Sequence, residues 1–154
     1  MTVSDTRRGE RDRGGATAQR LIERAGHRVA VRAWVKDEAR EIRRAAASAL
    51  ARRDVDCVIL TGGTGLAPRD RTPESVETLV EKWLPGFGEL FRRFSVEDVG
   101  TAAWLSRAAA GIARGRLVVT LPGSPAAVEM AIGRVLLPEL AHALRMLGRF
   151  SSEE

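Results

Sequence analysis

The order in which apolar periodicity changes along the chain constrains its fold more than any other feature. Val55 to Leu60 is a short run, apolar apart from Asp56 and closed by glycines, the pattern of a buried strand. Ahead of it, Ala18, Leu21, Ile22 and Ala25 fall at helical spacing in a stripe that Gly26 ends, and Arg28 to Val35 reads as a strand. Asp37 is placed to N-cap a second helix whose buried stripe is Ile42, Ala46, Ala49 and Leu50. Beyond the run, Thr72 is expected as the N-cap of a short helix with Pro73 in its first position. Leu105, Ala108, Ala109 and Ile112 mark a further helix, and Leu117 to Leu121 a strand. Val128, Ala131, Ile132, Val135 and Leu136 mark a long final helix that Pro138 should kink or interrupt. Strands alternating with helices imply parallel crossovers, hence an α/β fold with a sheet covered on both faces. Thr6 to Gly15 reads as a mobile loop and Ser151 to Glu154 as a frayed tail.

Composition removes several function classes. A chain of 154 residues is expected to form one domain, 1–154. No apolar run approaches the roughly 20 residues needed to span a bilayer, and the start lacks a basic-then-apolar signal, so a cytoplasmic protein without membrane partners is expected. The lone Cys57 sits in an apolar stretch and reads as an inert buried thiol. The net charge of +5 comes mostly from 23 arginines, but they are scattered with acids between them. That is a solvated surface rather than a nucleic-acid face, although positive potential helps attract phosphorylated ligands. His27 and His142 stand alone without ligand spacing.

The stretch Thr61-Gly62-Gly63-Thr64-Gly65-Leu66-Ala67-Pro68-Arg69-Asp70-Arg71-Thr72-Pro73-Glu74 runs from a strand to a helix start, where free amides and the helix dipole favour an anion. Neither common nucleotide fingerprint is present: no G-K-[ST] follows the glycines, and Pro68 stands at the third glycine of G-x-G-x-x-G. The loop offers Asp70 instead of a lysine. A carboxylate tolerates a neighbouring phosphate when a divalent cation lies between them, which points to a Mg-bound polyphosphate. On local sequence a plain turn with Asp70 as a cap stays open. Asp37, Ser4-Asp5 and Pro122-Gly123-Ser124-Pro125 also follow strands, and in a parallel sheet the loops at the carboxyl ends share one edge where ligands bind. Asp37 as a mere N-cap stays open too.

These residues resemble the MoaB/MogA family of molybdenum cofactor biosynthesis proteins. The glycine loop with Arg69-Asp70 and Thr72-Pro73-Glu74 looks like its signature; Thr2-Val3-Ser4-Asp5-Thr6-Arg7, Asp37-Glu38 and Pro122-Gly123-Ser124-Pro125 are similar to its other loops. Pro85 to Arg92 and Ser106-Arg107-Ala108 look more like the MoaB branch. The resemblance implies a three-layer α/β/α fold with a mostly parallel sheet, usually a homotrimer or homohexamer, that binds molybdopterin. It implies adenylylation of molybdopterin by Mg-ATP with release of pyrophosphate. Asp37 and Asp70 match the functional aspartates, Asp70 as the Mg ligand. Ser4, Asp5, Gly62, Gly63, Thr64, Gly65, Pro122, Gly123 and Ser124 match the substrate-binding loops. A non-catalytic pterin-binding or scaffold protein, and a phosphate hydrolase on the same fold, are the alternatives.

Two further expectations concern apolar residues. Only Met1 to Val3 precede Ser4, where the family has a longer apolar strand. About four missing strand residues at ~1.5 to 3 kcal/mol each approach a domain's whole stability of ~5 to 15 kcal/mol, so the start is expected to be shortened or mis-assigned. Phe87, Phe91 and Phe94, beside Trp83, Leu84 and Leu90, are expected in the core, with an oligomer interface as the alternative; Trp34 and Trp104 are expected to pack rather than stack on a pterin.

Overall fold

The structure, a computed structural model, describes residues 1–149; the tail expected from Ser151 to Glu154 lies outside the described residues. Six strands form one sheet: β1 (Thr2–Val3), β2 (Trp34–Val35), β3 (Cys57–Thr61), β4 (Lys82–Trp83), β5 (Ala109–Ala113) and β6 (Arg116–Leu121). Their order is β2-β1-β3-β6-β5-β4. The β2-β1, β1-β3 and β3-β6 pairs are parallel, and β5 is antiparallel to both neighbours. This is the expected mostly parallel α/β/α arrangement with a short first strand.

Helices cover both faces: α1 (Arg13–Arg24), α2 (Ala39–Leu50), α3 (Thr72–Glu77), α4 (Pro85–Val99), α5 (Pro125–Glu129) and α6 (Leu137–Met146), the last two joined by a π-helical stretch, Met130–Leu136. Strand side chains alternate between the faces. Leu117, Val119 and Leu121 enter a core with Ala18, Phe91 and Ile132. Val118 points the other way, into a core with Ile42, Ala46 and Leu50 from α2 and Val76 from α3. Leu60, Leu121 and Ile132 are fully buried, each contributing ~1.5 to 3 kcal/mol against exposure. Phe91 is buried and Phe87 and Phe94 pack partly against the same core, so the expected core role holds for them. Leu90 is exposed, as is Trp104, which does not pack as expected.

Several expected elements differ. Leu105 to Ile112 is not a helix: a 3-10 turn, Gly100–Leu105, leads into β5. Arg114 and Gly115 both take positive φ, +52° and +67°, and fold β5 back onto β6 in register Ala113 to Arg116, a two-residue hairpin that outweighs the helical preference of its alanines. Gly111 is needed there, because a Cβ would lie 2.6 Å from Val80 Cγ1. The strand expected over Arg28 to Val35 shrinks to β2, since β1 offers only Thr2 and Val3 to pair with it. Glu38, not Asp37, occupies the N-cap of α2, and α3 starts one residue early with Arg71 before it. Pro138 falls where the α-helical pattern is interrupted, as expected: the π-helical stretch Met130–Leu136 separates α5 from α6, and Pro138 stands in the first turn of α6, where a missing N–H is tolerated. Finally, residues 6–15 hold a 3-10 turn and the start of α1, anchored by Asp12. Its buried carboxylate accepts from the Thr2 hydroxyl (2.8 Å), the Gly15 amide (2.9 Å), the Trp34 indole (3.1 Å) and Arg32 (3.2 Å).

Candidate functional site

Because β1, β2, β3 and β6 run in one direction, the loops after them meet at the carboxyl edge of the sheet. They enclose a crevice of about 510 Å³ lined by Ser4 and Asp5 after β1, Asp37 after β2, Gly62 to Gly65 and Asp70 after β3, and Pro122 and Gly123 after β6. Asp37 and Asp70, 33 positions apart in sequence, thus face one hollow. Ser124 stands apart from this set: its hydroxyl accepts from the Ala127 amide at 3.3 Å and caps α5.

Each loop is held by a local contact. The Ser4 hydroxyl accepts from the Thr6 and Arg7 amides at 3.3 and 3.0 Å, turning the chain after β1. Asp5 Oδ1 accepts from the Asp37 amide at 3.1 Å, joining the first two loops. Gly62 has φ +100°, and a Cβ on it would lie 2.3 Å from the Val3 carbonyl oxygen, so only glycine passes between β1 and β3 here. Its amide donates to Leu121 at 2.8 Å, which removes Gly62 from the expected set of free amides. The Gly63 carbonyl accepts from the Thr72 amide at 2.9 Å, tying the loop to α3. The amides of Gly63, Thr64 and Gly65 find no acceptor among the described residues.

The charge pattern is mixed. Asp37 Oδ1 is buried without a hydrogen-bond partner among the described residues. Burial pushes the Asp37 carboxyl above its ordinary range, and the charges of Asp70 and Asp5 push the same way, against the pull of Arg69. Asp70 Oδ2 accepts from the Ala67 amide at 3.0 Å. Arg69 pairs with Asp5 and lies 3.9 Å from Asp37, while Arg7 reaches the Gly123 carbonyl at 3.4 Å. Three carboxylates, two guanidiniums and three free amides therefore converge. Such a set could hold a phosphorylated ligand were a divalent cation to neutralise the acids. Among the described residues no three His, Cys, Asp or Glu groups form a ready-made metal site, so a cation here would need further ligands from phosphate and water. The orphaned Asp37 oxygen, in a pocket of carboxylates that repel one another, fits such an ion.

Sequence reasoning missed Arg7 and Arg69 as site residues although both lie inside the motifs, and missed Leu105 and Ser106, which also line the crevice. The latter pair was hidden by reading their segment as a helix. Burial pushes the Cys57 thiol up to about 12, which keeps it an inert thiol. No helix of the described residues is long and apolar enough to cross a membrane.

The sequence matches, over residues 1–142, the family described as a probable molybdopterin binding domain. Molybdenum cofactor biosynthesis protein B of Halalkalibacterium halodurans is 46% identical over 146 residues, 94% of this chain and 86% of the relative. A crystal structure of a molybdenum cofactor biosynthesis protein B is similar at TM-score 0.93 and 43% identity, covering 97% of this chain and 93% of that one. The tungsten cofactor synthesizing protein MoaB of Pyrococcus furiosus is similar at TM-score 0.85 and 39% identity, covering 97% and 94%.

Proposed function

The chain belongs to the MoaB/MogA family of molybdenum cofactor biosynthesis proteins, and from that premise we propose that it binds molybdopterin in the crevice and adenylylates it with Mg-ATP. The observation that carries the reading is the meeting of Asp37, Asp70 and the unpaired Gly63 to Gly65 amides in one hollow.

In this reaction an oxygen of the pterin's terminal phosphate forms a bond to the α-phosphorus of ATP, and the bond to the departing pyrophosphate breaks. Both reactants are anions, so the chain's work is alignment and neutralisation of charge. The amides of Gly63, Thr64 and Gly65 hold phosphate oxygens, Arg7 and Arg69 bring positive charge to the rim, and Asp37 with Asp70 would hold Mg2+. The cation would supply the charge that lets carboxylates and phosphates share the hollow. Asp5 fixes the Asp37 backbone.

We place the protein in the cytoplasm as a homotrimer or homohexamer, for which the exposed apolar side chains of Trp83, Leu84, Leu90, Val96, Val99 and Trp104 supply contact surface. Light scattering on the purified protein measures the assembly. Purified protein with molybdopterin and Mg-ATP tests the activity. Pyrophosphate release that requires both substrates is the expected result. Pterin binding without turnover identifies a scaffold, and phosphate release from ATP or pterin alone identifies a hydrolase; either outcome rejects the adenylyltransferase.

A further inference from the structure

Arg107 lies outside the crevice, between the 3-10 turn and β5, yet its guanidinium is directed at the glycine loop. Nε donates to the Gly65 carbonyl at 3.1 Å and to the Thr64 carbonyl at 3.4 Å. One terminal nitrogen donates to the Asp70 carbonyl at 2.6 Å, and the other pairs with the Glu74 carboxylate on α3. One side chain thus joins both arms of the loop to the helix that follows. The planar fork of arginine allows this, whereas the three donors of a lysine leave from one atom.

We propose that Arg107 is the positioning residue that turns the Gly65 amide of the glycine loop toward the crevice and holds the loop in that shape; this rests on the reading of that crevice as a phosphate site. In a trans peptide the C=O and the following N–H point in opposite directions. The Thr64 carbonyl faces Arg107, so the Gly65 N–H faces away from it. The Gly63 carbonyl accepts from Thr72, so the Thr64 N–H faces away from α3. Gly65 and Asp70 form the wall between the crevice and a second hollow of about 420 Å³, on whose side Arg71, Glu74 and Arg107 stand. An amide turned from Arg107 therefore faces the crevice. The same guanidinium fixes the Asp70 main chain, whose carboxylate also lines the crevice, and neutralises Glu74, a carboxylate that would otherwise repel phosphate.

The test uses the full chain and inorganic pyrophosphate with Mg2+ as the probe, read by calorimetry and by the Gly63, Thr64 and Gly65 amide resonances. The variants are Arg107→Lys and the double variant Arg107→Ala with Glu74→Gln, which removes the uncompensated acid. Expected are displaced resonances in the unliganded variants and pyrophosphate affinity lower by about 10- to 100-fold in the double variant, the range for lost charged hydrogen bonds, with a smaller loss for lysine. Methylguanidinium added to the double variant restores part of the affinity. Variants with native circular dichroism whose three amide resonances and affinity equal those of the parent overturn the proposal. Should the parent chain fail to bind pyrophosphate, the phosphate reading of the crevice falls, and the resonances still decide whether Arg107 sets the amides.

Discussion

Asp37 and Arg69 meet in the crevice, with Asp37 Oδ2 3.9 Å from Arg69 Nε, while the buried Oδ1 of the same carboxylate accepts from none of the described residues. The Asp37 pKa is raised, chiefly by burial and then by Asp70. A raised carboxyl binds more protons in the folded than in the unfolded state, so its ionisation costs the fold stability as pH rises, and protons compete with any cation placed there. We predict that Mg-ATP affinity falls as pH drops through the raised pKa of Asp37. In Asp37→Asn this pH dependence is weaker, Asp70 alone remaining, without a lower melting temperature. Calorimetric titrations across the acidic range check this, and a flat pH profile in the parent chain removes Asp37 from cation binding.

Asp70→Asn keeps a similar shape and can keep the contact to the Ala67 amide, but loses the charge that holds a cation. The expected effect is an unchanged fold with pyrophosphate release lowered by on the order of 10² to 10³, as for other single electrostatic elements. Steady-state turnover beside a thermal melt separates the two readouts. Full activity in this variant places the cation elsewhere.

Gly63 has φ +64°, and a Cβ on it would lie 2.3 Å from Thr72 Oγ1 and 3.1 Å from Asp37 Oδ1. Gly63→Ala is therefore expected to destabilise by about 1 to 3 kcal/mol and to weaken nucleotide binding, since it strains the backbone where the free amides lie. Gly133→Ala is the control. Its Cβ meets nothing within 4 Å in a helical stretch, so a gain of up to about 1 kcal/mol is expected. Chemical denaturation of both variants gives the comparison; equal stabilities mean that the Gly63 turn is not constrained.

The part of this site that was legible in the sequence is the part written in strands followed by short loops. Val55 to Leu60 marks β3 within two residues, and Leu117 to Leu121 marks β6, so the loops carrying Asp70 and Gly123 could be placed on one edge. Asp37 could be placed there too, but its role could not, because an N-cap and a free carboxylate one residue before a cap look alike in sequence. What escaped depends on partners distant in the chain. Ala108 to Ile112 carries a helical spacing that β6 overrides through pairing, and with the strand unseen Arg107 could not be assigned to the glycine loop 42 residues earlier. Residues 28–33 have strand character but no neighbouring strand to realise it.

The hairpin that hides β5 offers its own test. Arg114 sits at φ +52°, a conformation that asparagine and glycine adopt more readily than arginine. Its backbone N–H donates to Glu81 and its carbonyl accepts from Arg116, contacts that survive substitution. Arg114→Asn is expected to raise stability by about 0.5 to 1 kcal/mol without changing ligand binding. A loss of stability in urea denaturation contradicts the turn assignment.

A final prediction concerns a chain made to begin at Met1, whose α-ammonium is then buried against the sheet and donates to the Ile59 carbonyl at 2.8 Å. Burial lowers its pKa to about 6, opposed by the charge of Asp12 and reinforced by Arg32. Between this value and the unfolded value near 8, the unfolded chain holds the proton and the folded chain does not. Stability therefore rises with pH across that window, by ~2 to 3 kcal/mol in all, because one proton of difference is worth about 1.4 kcal/mol for every step of one in pH. Placing four apolar residues ahead of Met1 converts the buried ammonium into a peptide amide that keeps a donor for Ile59. The extended chain is expected to melt higher at about pH 6 than the chain beginning at Met1 and to show a flatter profile from there to about pH 8. Identical profiles for the two chains would show that the ammonium is solvated and that Met1 does not sit in the sheet as described.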